Sequence, residues 1–186
     1  MTDDLRALVF YVGTPDNSFE PDWGWIGLVA SARGLRLLGL PEANLDAAQR
    51  TIDEHYPDAP RVPDDSFLLD VAEQVRAYLA GELDEFSVEL DLRGHTSFAL
   101  SVWAAAARIP YGQTRTYGWI ADQVGDIGAA QAVGAALGAN PAPLIIPCHR
   151  VIGSDGSLHG FAGGLDMKAR LLALESGQQR LNLDAG

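Results

Sequence analysis

Cysteine is nearly absent from this sequence. The 186 residues contain a single cysteine, Cys148. One cysteine cannot form an intramolecular disulfide, and it cannot supply the several thiolates of a structural zinc site. Cys148 must therefore act as a free thiol, the state that a reducing compartment maintains. We expect a cytoplasmic protein.

Metal-ligand patterns and long apolar segments are missing as well. The four histidines lack the short His-x-His or His-x3-His spacing of a metal site: His55, His95, His149 and His159. The first residues show no basic segment followed by an apolar run, and no stretch approaches the ~20 apolar residues of a membrane span. We expect a soluble monomer without a metal, a cofactor or a membrane segment.

Basic residues are scarce overall. Lys and Arg number 13 against 25 Asp and Glu, a net charge of −12, and an even distribution of this charge would repel nucleic acid. The distribution is uneven, because residues 1–91 carry 19 acids and 6 bases whereas residues 92–186 carry 6 acids and 7 bases. We expect two domains with these bounds, and a nucleic-acid partner remains open for the second.

The acidic half alternates strand-like runs with amphipathic segments. Three short apolar runs, separated by turns such as 13–17, predict a small antiparallel sheet: residues 8–12, 25–30 and 35–40. Helical spacing predicts a helix over 44–55 capped by Asn44, and another that Ser66 caps and Gly81 ends. Residues 86–92 alternate as a strand or an extended connector does.

The second half is predicted to be mostly helical. An alanine-rich helix spans 97–108, and two short helices over 116–124 and 129–139 are joined by the turn Gly125–Gly128. That spacing suits a helix-turn-helix, although an ordinary helical hairpin is the commoner structure. The fold class is therefore α+β, with a small antiparallel sheet and helices followed by a mostly helical domain that contains the helix-turn-helix.

The 129–139 helix nearly lacks bulky side chains. Only Val133 and Leu137 are expected to reach the core, and most other positions are alanine or glycine. Such a helix either packs closely against another helix or enters a narrow space such as a DNA groove.

Cys148 is flanked by groups that can activate a thiol. The apolar run 144–147 predicts a strand that would present Cys148 at its end, directly before His149 and Arg150. A neighbouring base or cation populates the reactive thiolate. Adjacent strand residues point to opposite faces, however, and a free cysteine is most often a small buried apolar residue.

These residues resemble the O6-alkylguanine-DNA alkyltransferases, also called methylated-DNA–protein-cysteine methyltransferases. The resemblance is carried by Pro147-Cys148-His149-Arg150-Val151, together with segments in the same order along the chain: residues 109–117, 132–134, 140–141, 145–146, 160–165 and 168–175. It covers about residues 97–175. The first half, which is ribonuclease-H-like in the family, matches only loosely.

The resemblance implies single-turnover repair of duplex DNA that carries O6-alkylguanine, with O4-alkylthymine left open. Cys148 would attack the alkyl carbon on O6 and keep the alkyl group as a thioether. His149 would draw the thiol proton through a bound water, and Glu175 would orient His149. Arg150 would support the site, or form an ion pair without a functional role.

The resemblance also implies positions for base flipping and for the base pocket. Tyr117 would rotate the phosphate so that the target base leaves the duplex, and it would donate a hydrogen bond near the base. Residues 129–138 would enter the roughly 6 Å wide minor groove, with contacts from Ala129, Ala130, Gln131, Ala132, Gly134 and Ala135. Asn140 and Pro147 would support the turn before Cys148, and the pocket wall would consist of Phe161, Ala162, Gly163 and Gly164.

Two positions depart from the family pattern. Gln131 stands where the family usually has the arginine that fills the gap left by the flipped base, and glutamine is shorter and uncharged. Phe161 stands where some members have tyrosine, and it lacks a hydroxyl that could assist the leaving oxygen. We expect weaker base flipping or DNA affinity, with the reaction class unchanged.

Three other functions stay open at this level. A non-catalytic relative that binds alkylated DNA is the nearest, although such proteins lack the acceptor cysteine that this chain has as Cys148. A cysteine hydrolase could use Cys148, His149 and a carboxylate, but the sequence shows no recognisable oxyanion hole. A transcription regulator could use the helix-turn-helix alone.

Overall fold

A computed structural model describes residues 4–13 and 22–177. The chain divides into two compact units, Met1–Asp91 and Leu92–Gly186, at the point where its charge changes. The turn predicted over 13–17 lies, apart from Gly13, outside the described residues. Among the helices that are described, none is long and apolar enough to cross a membrane.

The described residues of the first unit form a three-stranded antiparallel sheet and two helices, as the sequence predicted. The strands pair in the order β1-β2-β3, with Leu8 opposite Leu28 and Leu28 opposite Leu38. Their bounds are β1 Arg6–Val12, β2 Gly24–Ser31 and β3 Gly34–Leu38. Helix α1 spans Leu45–His55 and helix α2 spans Ser66–Leu79.

The core of this unit forms where α1 packs on the sheet. Ile52 of α1 is buried with Ala7, Val29 and Leu37. A Cβ at Gly27 would lie only 2.8 Å from Ile52 Cγ1 and 2.9 Å from the Ala48 carbonyl oxygen. Glycine at this position therefore lets the helix approach the central strand closely.

The helix ends follow the prediction at α1 and correct it at α2. Asn44 caps α1, because its side chain accepts a hydrogen bond from Ala47 N at 2.9 Å. At α2 the predicted cap, Ser66, is wrong: Ser66 is already the first helical residue. Asp65 has extended backbone and accepts from Leu68 N at 2.9 Å, so its carboxylate occupies the capping position one residue earlier.

Residues 86–92 form a connector that makes a single bridge, between Leu90 and Leu35, instead of a full strand. Within this connector Asp91, the last residue of the first unit, is buried and accepts hydrogen bonds from Ser31 Oγ at 2.6 Å and Arg36 Nη1 at 3.2 Å. These bonds hold the end of the first unit onto its own sheet.

The second unit is mostly helical and contains the predicted helix-turn-helix. Its elements are α3 Ser97–Ala107, β4 Arg115–Thr116, α4 Tyr117–Gln123, α5 Ala130–Gly138, β5 Val151–Ile152 and α6 Gly164–Glu175. Helices α4 and α5 form the helix-turn-helix, and β4 pairs in parallel with β5. Trp103 Nε1 of α3 donates to the Ala136 carbonyl of α5 at 2.8 Å. Val133 and Leu137 are buried as predicted, and Ala136 is buried with them.

The strand predicted over residues 144–147 is wrong. These residues form a turn in which Leu144 has φ +75°, a left-handed conformation that no strand contains. Prolines at 141, 143 and 147 lack the N–H that a sheet ladder needs. Cys148–Arg150 follows as one turn of 3-10 helix, so these three side chains point in different directions from one tight coil.

The corrected cap of α2 can be tested by three variants. Asp65→Ala should lower the free energy of unfolding by about 1–2 kcal/mol, because it removes the cap and an ion pair with Arg6 Nε at 3.2 Å. Asp65→Asn should lose less, since an amide oxygen still caps the helix. Ser66→Ala should change stability little. Urea denaturation measures all three, and a larger loss for Ser66→Ala than for Asp65→Ala would contradict the assignment.

Candidate active site

Asn140 fixes the turn that carries the only thiol. Its side-chain oxygen accepts from Ala142 N at 3.0 Å, and its Nδ2 donates to the Ile146 carbonyl at 2.8 Å. The same Nδ2 lies 3.2 Å from Cys148 Sγ, within hydrogen-bonding distance. Asn140 thus closes the turn predicted for it and also contacts the sulfur.

The thiol is held in a largely protonated state. Cys148 is 8% exposed, and burial raises the pKa of its thiol above the ordinary value. The hydrogen bond from Asn140 and the positive charge of Lys168 oppose this effect, since both favour a thiolate. A base that removes the proton is therefore needed at neutral pH.

A buried carboxylate joins the two residues that follow the cysteine. Glu175, at the end of α6, accepts from His149 Nε2 at 2.8 Å. It also binds Arg150 through two nitrogens, with Nε 2.9 Å from Oε2 and Nη2 2.8 Å from Oε1. The structure brings His149, Arg150 and Glu175 together, and Arg150 takes part in a buried ion pair.

His149 is suited to accept a proton. Its side chain is fully buried, and burial lowers the pKa of the imidazole, while the bond to Glu175 acts in the opposite direction. The ring is therefore neutral near pH 7. With Nε2–H donated to Glu175, the Nδ1 atom carries the lone pair, and Glu175 stabilises the imidazolium that forms on proton transfer.

The same carboxylate positions the loop before β4. Gly112 N donates to Glu175 Oε2 at 3.1 Å, and Arg150 Nη1 donates to the Ile109 carbonyl at 2.6 Å. Gly112 has φ +71°, and a Cβ there would lie 3.0 Å from the Glu175 carbonyl oxygen. Glycine is required at this point because the backbone is left-handed and closely approached.

Lys168 is a site residue that sequence reasoning did not single out. It is the only lysine in the chain, and it is completely buried. Its Nζ donates to the carbonyls of Val151 at 2.7 Å and His159 at 2.9 Å, and lies 3.5 Å from the Tyr117 hydroxyl. Burial lowers its pKa, and the nearby Cys148 opposes that shift. Lys168 precedes Glu175 by seven residues, about two helical turns, so the two lie on one face of α6. This spacing is the sequence signal that could have pointed to Lys168.

Tyr117 begins α4 and links the lysine to α5. It is half-buried, and burial together with negative charge on Cys148 raises the pKa of its hydroxyl. A Cβ built on Gly134 of α5 would lie 3.8 Å from Tyr117 Cε1. The tyrosine therefore lies beside both Lys168 and α5, the helix that the resemblance places in the minor groove.

The remaining predicted positions fall on two surfaces. On α5, Gly134 is partly exposed and the exposed residues are Ala130, Gln131, Ala132 and Ala135, whereas Ala129 is buried and does not share that surface. Along the loop into α6, Phe161 and Gly163 are partly buried, and Ala162 and Gly164 are exposed. Pro147 is buried directly before Cys148.

Across the described ranges, no group of three or more His, Cys, Asp or Glu is placed to hold a metal ion.

The influence of Lys168 on the thiol can be measured by the rate at which iodoacetamide alkylates Cys148. Lys168→Met keeps a long side chain and removes the positive charge that favours the thiolate. We expect alkylation at pH 7 to slow about fivefold, and the pH profile to move to higher pH. Near-UV circular dichroism controls for folding. Coincident pH profiles for the variant and the unaltered protein would contradict this role.

Comparisons with known proteins place this chain in a family. Residues 97–177 match the family model described as 6-O-methylguanine DNA methyltransferase, DNA binding domain. A methylated-DNA–protein-cysteine methyltransferase of Mycobacterium tuberculosis strain H37Rv is 54% identical over 121 residues, which cover 65% of this chain and 73% of the relative. A protein of that name from Methanosarcina acetivorans is 44% identical over 157 residues, 84% of this chain and 95% of the relative.

A solved structure extends the similarity over both units. The crystal structure of Mycobacterium tuberculosis OGT in complex with DNA is 41% identical, with a TM-score of 0.73, and the match covers 93% of this chain and 94% of that one. Because relatives more than 30% identical are covered over most of their length, this chain belongs to the methylated-DNA–protein-cysteine methyltransferase family.

Proposed function

We propose that this chain repairs O6-alkylguanine in duplex DNA by transferring the alkyl group irreversibly to its own Cys148. The observation that carries this function is the buried thiol of Cys148 beside the charge of Lys168, followed in the chain by His149, which is hydrogen-bonded to Glu175. These residues lie in the same unit as a helix-turn-helix. A thiol held this way can act as a nucleophile, and the adjacent helices can bind DNA.

The reaction is a displacement at the alkyl carbon. His149 takes the proton from Cys148 through a bridging water, and Sγ then attacks the carbon attached to O6 of guanine. The new S–C bond forms as the C–O bond breaks, and the electron pair of the C–O bond leaves with the guanine. The guanine takes up one proton from solvent in place of the alkyl group, and the proton on His149 returns to solvent. The product is a neutral thioether that no group in the site can hydrolyse, so each molecule reacts once.

The positive charge of Lys168 supports the step in two ways. It stabilises the thiolate before attack, because a cation beside sulfur favours the charged form. Its 3.5 Å contact with the Tyr117 hydroxyl also places a proton donor on the same side of the site. We assign to Tyr117 a hydrogen bond to the departing guanine, and its raised pKa keeps the hydroxyl protonated for that purpose.

Base flipping follows from the burial of the thiol. Cys148 cannot reach O6 inside a stacked duplex, so the nucleotide must leave the stack and enter the site. The small exposed residues of α5 suit the narrow minor groove, and Gln131 among them can fill the gap left by the base. The pocket wall would be the loop from Phe161 to Gly164.

A non-catalytic alkylated-DNA-binding role is not favoured. The acceptor cysteine is present, the His149 that follows it is hydrogen-bonded to Glu175, and the two curated relatives described above are named as methyltransferases. We therefore retain alkyl transfer as the function.

Intact-protein mass spectrometry tests the reaction directly. After incubation with an excess of duplex DNA containing one O6-methylguanine, the protein should gain one methyl group on Cys148 and no more. Cys148→Ser, nearly identical in shape, should gain none while still binding the duplex. Unchanged mass of the unaltered protein, or methyl transfer to the Cys148→Ser variant, would overturn the proposal.

Gln131→Arg tests the proposed gap-filling position. A longer, charged side chain should stack better in the vacated space, so methyl transfer from duplex DNA should become about three- to tenfold faster. The added cation should also make DNA binding depend more steeply on salt, as measured at two salt concentrations. Ala132→Arg is the matched control for charge alone. An unchanged or slower reaction for Gln131→Arg would contradict this assignment.

A further inference from the structure

Ile127 is the most exposed large hydrophobic residue in the described part of the chain. Its exposure is 80%, against 37–47% for the other exposed large hydrophobic residues there. Isolated exposed leucines are ordinary on protein surfaces, but an isoleucine almost entirely in water gains free energy whenever a partner covers it. The position of Ile127 indicates what that partner is.

Ile127 lies in the turn between the two helices of the helix-turn-helix. The turn is closed by hydrogen bonds from Ala129 N to the Asp126 carbonyl at 3.0 Å and from Gly128 N to Asp126 Oδ1 at 3.2 Å. Gly125 enables it with φ +80°. Ile127 is thus held on an ordered turn directly before α5.

We propose that Ile127 is a DNA-contacting residue that packs against the deoxyribose wall of the minor groove next to the flipped nucleotide. This inference rests on the proposed function. Ile127 precedes Gln131 by four residues, about one helical turn, and α5 begins within that interval. If α5 enters the groove with Gln131, the preceding turn meets the groove wall. Minor-groove proteins commonly use apolar side chains of this kind.

The charges around Ile127 favour an apolar contact over a phosphate contact. The adjacent residue, Asp126, is an acid, and its carboxylate is held in the turn by a hydrogen bond from Gly128 N. A turn that carries a carboxylate gains nothing from approaching a phosphate oxygen. The isoleucine is therefore the group on this turn that benefits from burial against DNA.

Fluorescence anisotropy with a labelled duplex tests the contact. Ile127→Ala should raise the Kd about three- to tenfold, because the apolar contact is lost, and it should leave the salt slope unchanged, because no counterion is involved. Leu69→Ala, which trims a leucine 41% exposed on α2, is the matched control and should leave the Kd unchanged. Equal Kd values for Ile127→Ala and the unaltered protein would overturn the proposal.

Asp126→Asn locates the turn independently of the isoleucine. The amide oxygen keeps the hydrogen bond from Gly128 N, so the turn survives, while one negative charge disappears. Near DNA this change should tighten binding about two- to threefold at low salt and less at high salt. No effect at either salt concentration would place the turn away from DNA and overturn the proposal.

Two further measurements separate this inference from its alternatives. Methyl transfer from free O6-methylguanine base should be the same for Ile127→Ala and the unaltered protein, because no DNA is involved. If the unaltered protein accepts no methyl group from duplex DNA, the proposed function fails. The DNA contact of Ile127 is tested separately, by the Kd of Ile127→Ala compared with that of the unaltered protein. A change in oligomeric state on Ile127→Ala without DNA, with an unchanged Kd, would identify a contact between copies and overturn the proposal.

Discussion

The hydrogen bonds that the Glu175 carboxylate accepts hold the site of the second unit together. Buried at the end of α6, the carboxylate accepts hydrogen bonds from His149, Arg150 and the backbone of Gly112. It thereby fixes three segments that are far apart in sequence: the turn carrying the cysteine, the loop before β4 and the last helix. Removing one partner from a buried ion pair typically costs about 3–5 kcal/mol, because the remaining charge stays desolvated. The chemistry therefore occurs at a point where the fold tolerates little displacement.

The same hydrogen bonds also determine the protonation states of His149 and Cys148. A carboxylate beside an imidazole would by itself raise the pKa of His149, but Arg150 binds the same carboxylate and offsets much of its charge, and burial lowers the pKa. His149 stays neutral and can act as a base. Lys168 contributes the complementary effect, since its charge favours the thiolate that burial of Cys148 opposes. The thiol is protonated at rest and ionisable when His149 acts.

Local patterns in the sequence predicted most of the architecture. Apolar periodicity predicts the sheet and the helices. Asn44 is predicted as a cap because its side chain binds a backbone N–H only three residues further along the chain. The wrong predictions depend on backbone conformation, and the overlooked residue depends on contacts between residues far apart in sequence. Residues 144–147 are apolar enough for a strand, but three prolines and the positive φ of Leu144 make them a turn. The sequence does not single out Lys168, because a lysine is ordinarily solvated and its spacing from Glu175 shows only that the two share a helix face. Packing shows that the charge of Lys168 is enclosed beside Cys148.

The scarcity of basic residues acquires a definite meaning once the site is known. Of the seven bases in residues 92–186, Arg150 and Lys168 are buried in the site, so they cannot contact phosphates. The described remainder of this unit has four arginines against four exposed or partly exposed aspartates: Arg93, Arg108, Arg115 and Arg170, with Asp122, Asp126, Asp155 and Asp166. Charge attraction alone cannot then supply strong DNA affinity. Under the proposed function, the fit of a low-relief helix to the groove and capture of the displaced base would supply the rest of the binding free energy. This would favour damaged sites, where base pairing is already weakened.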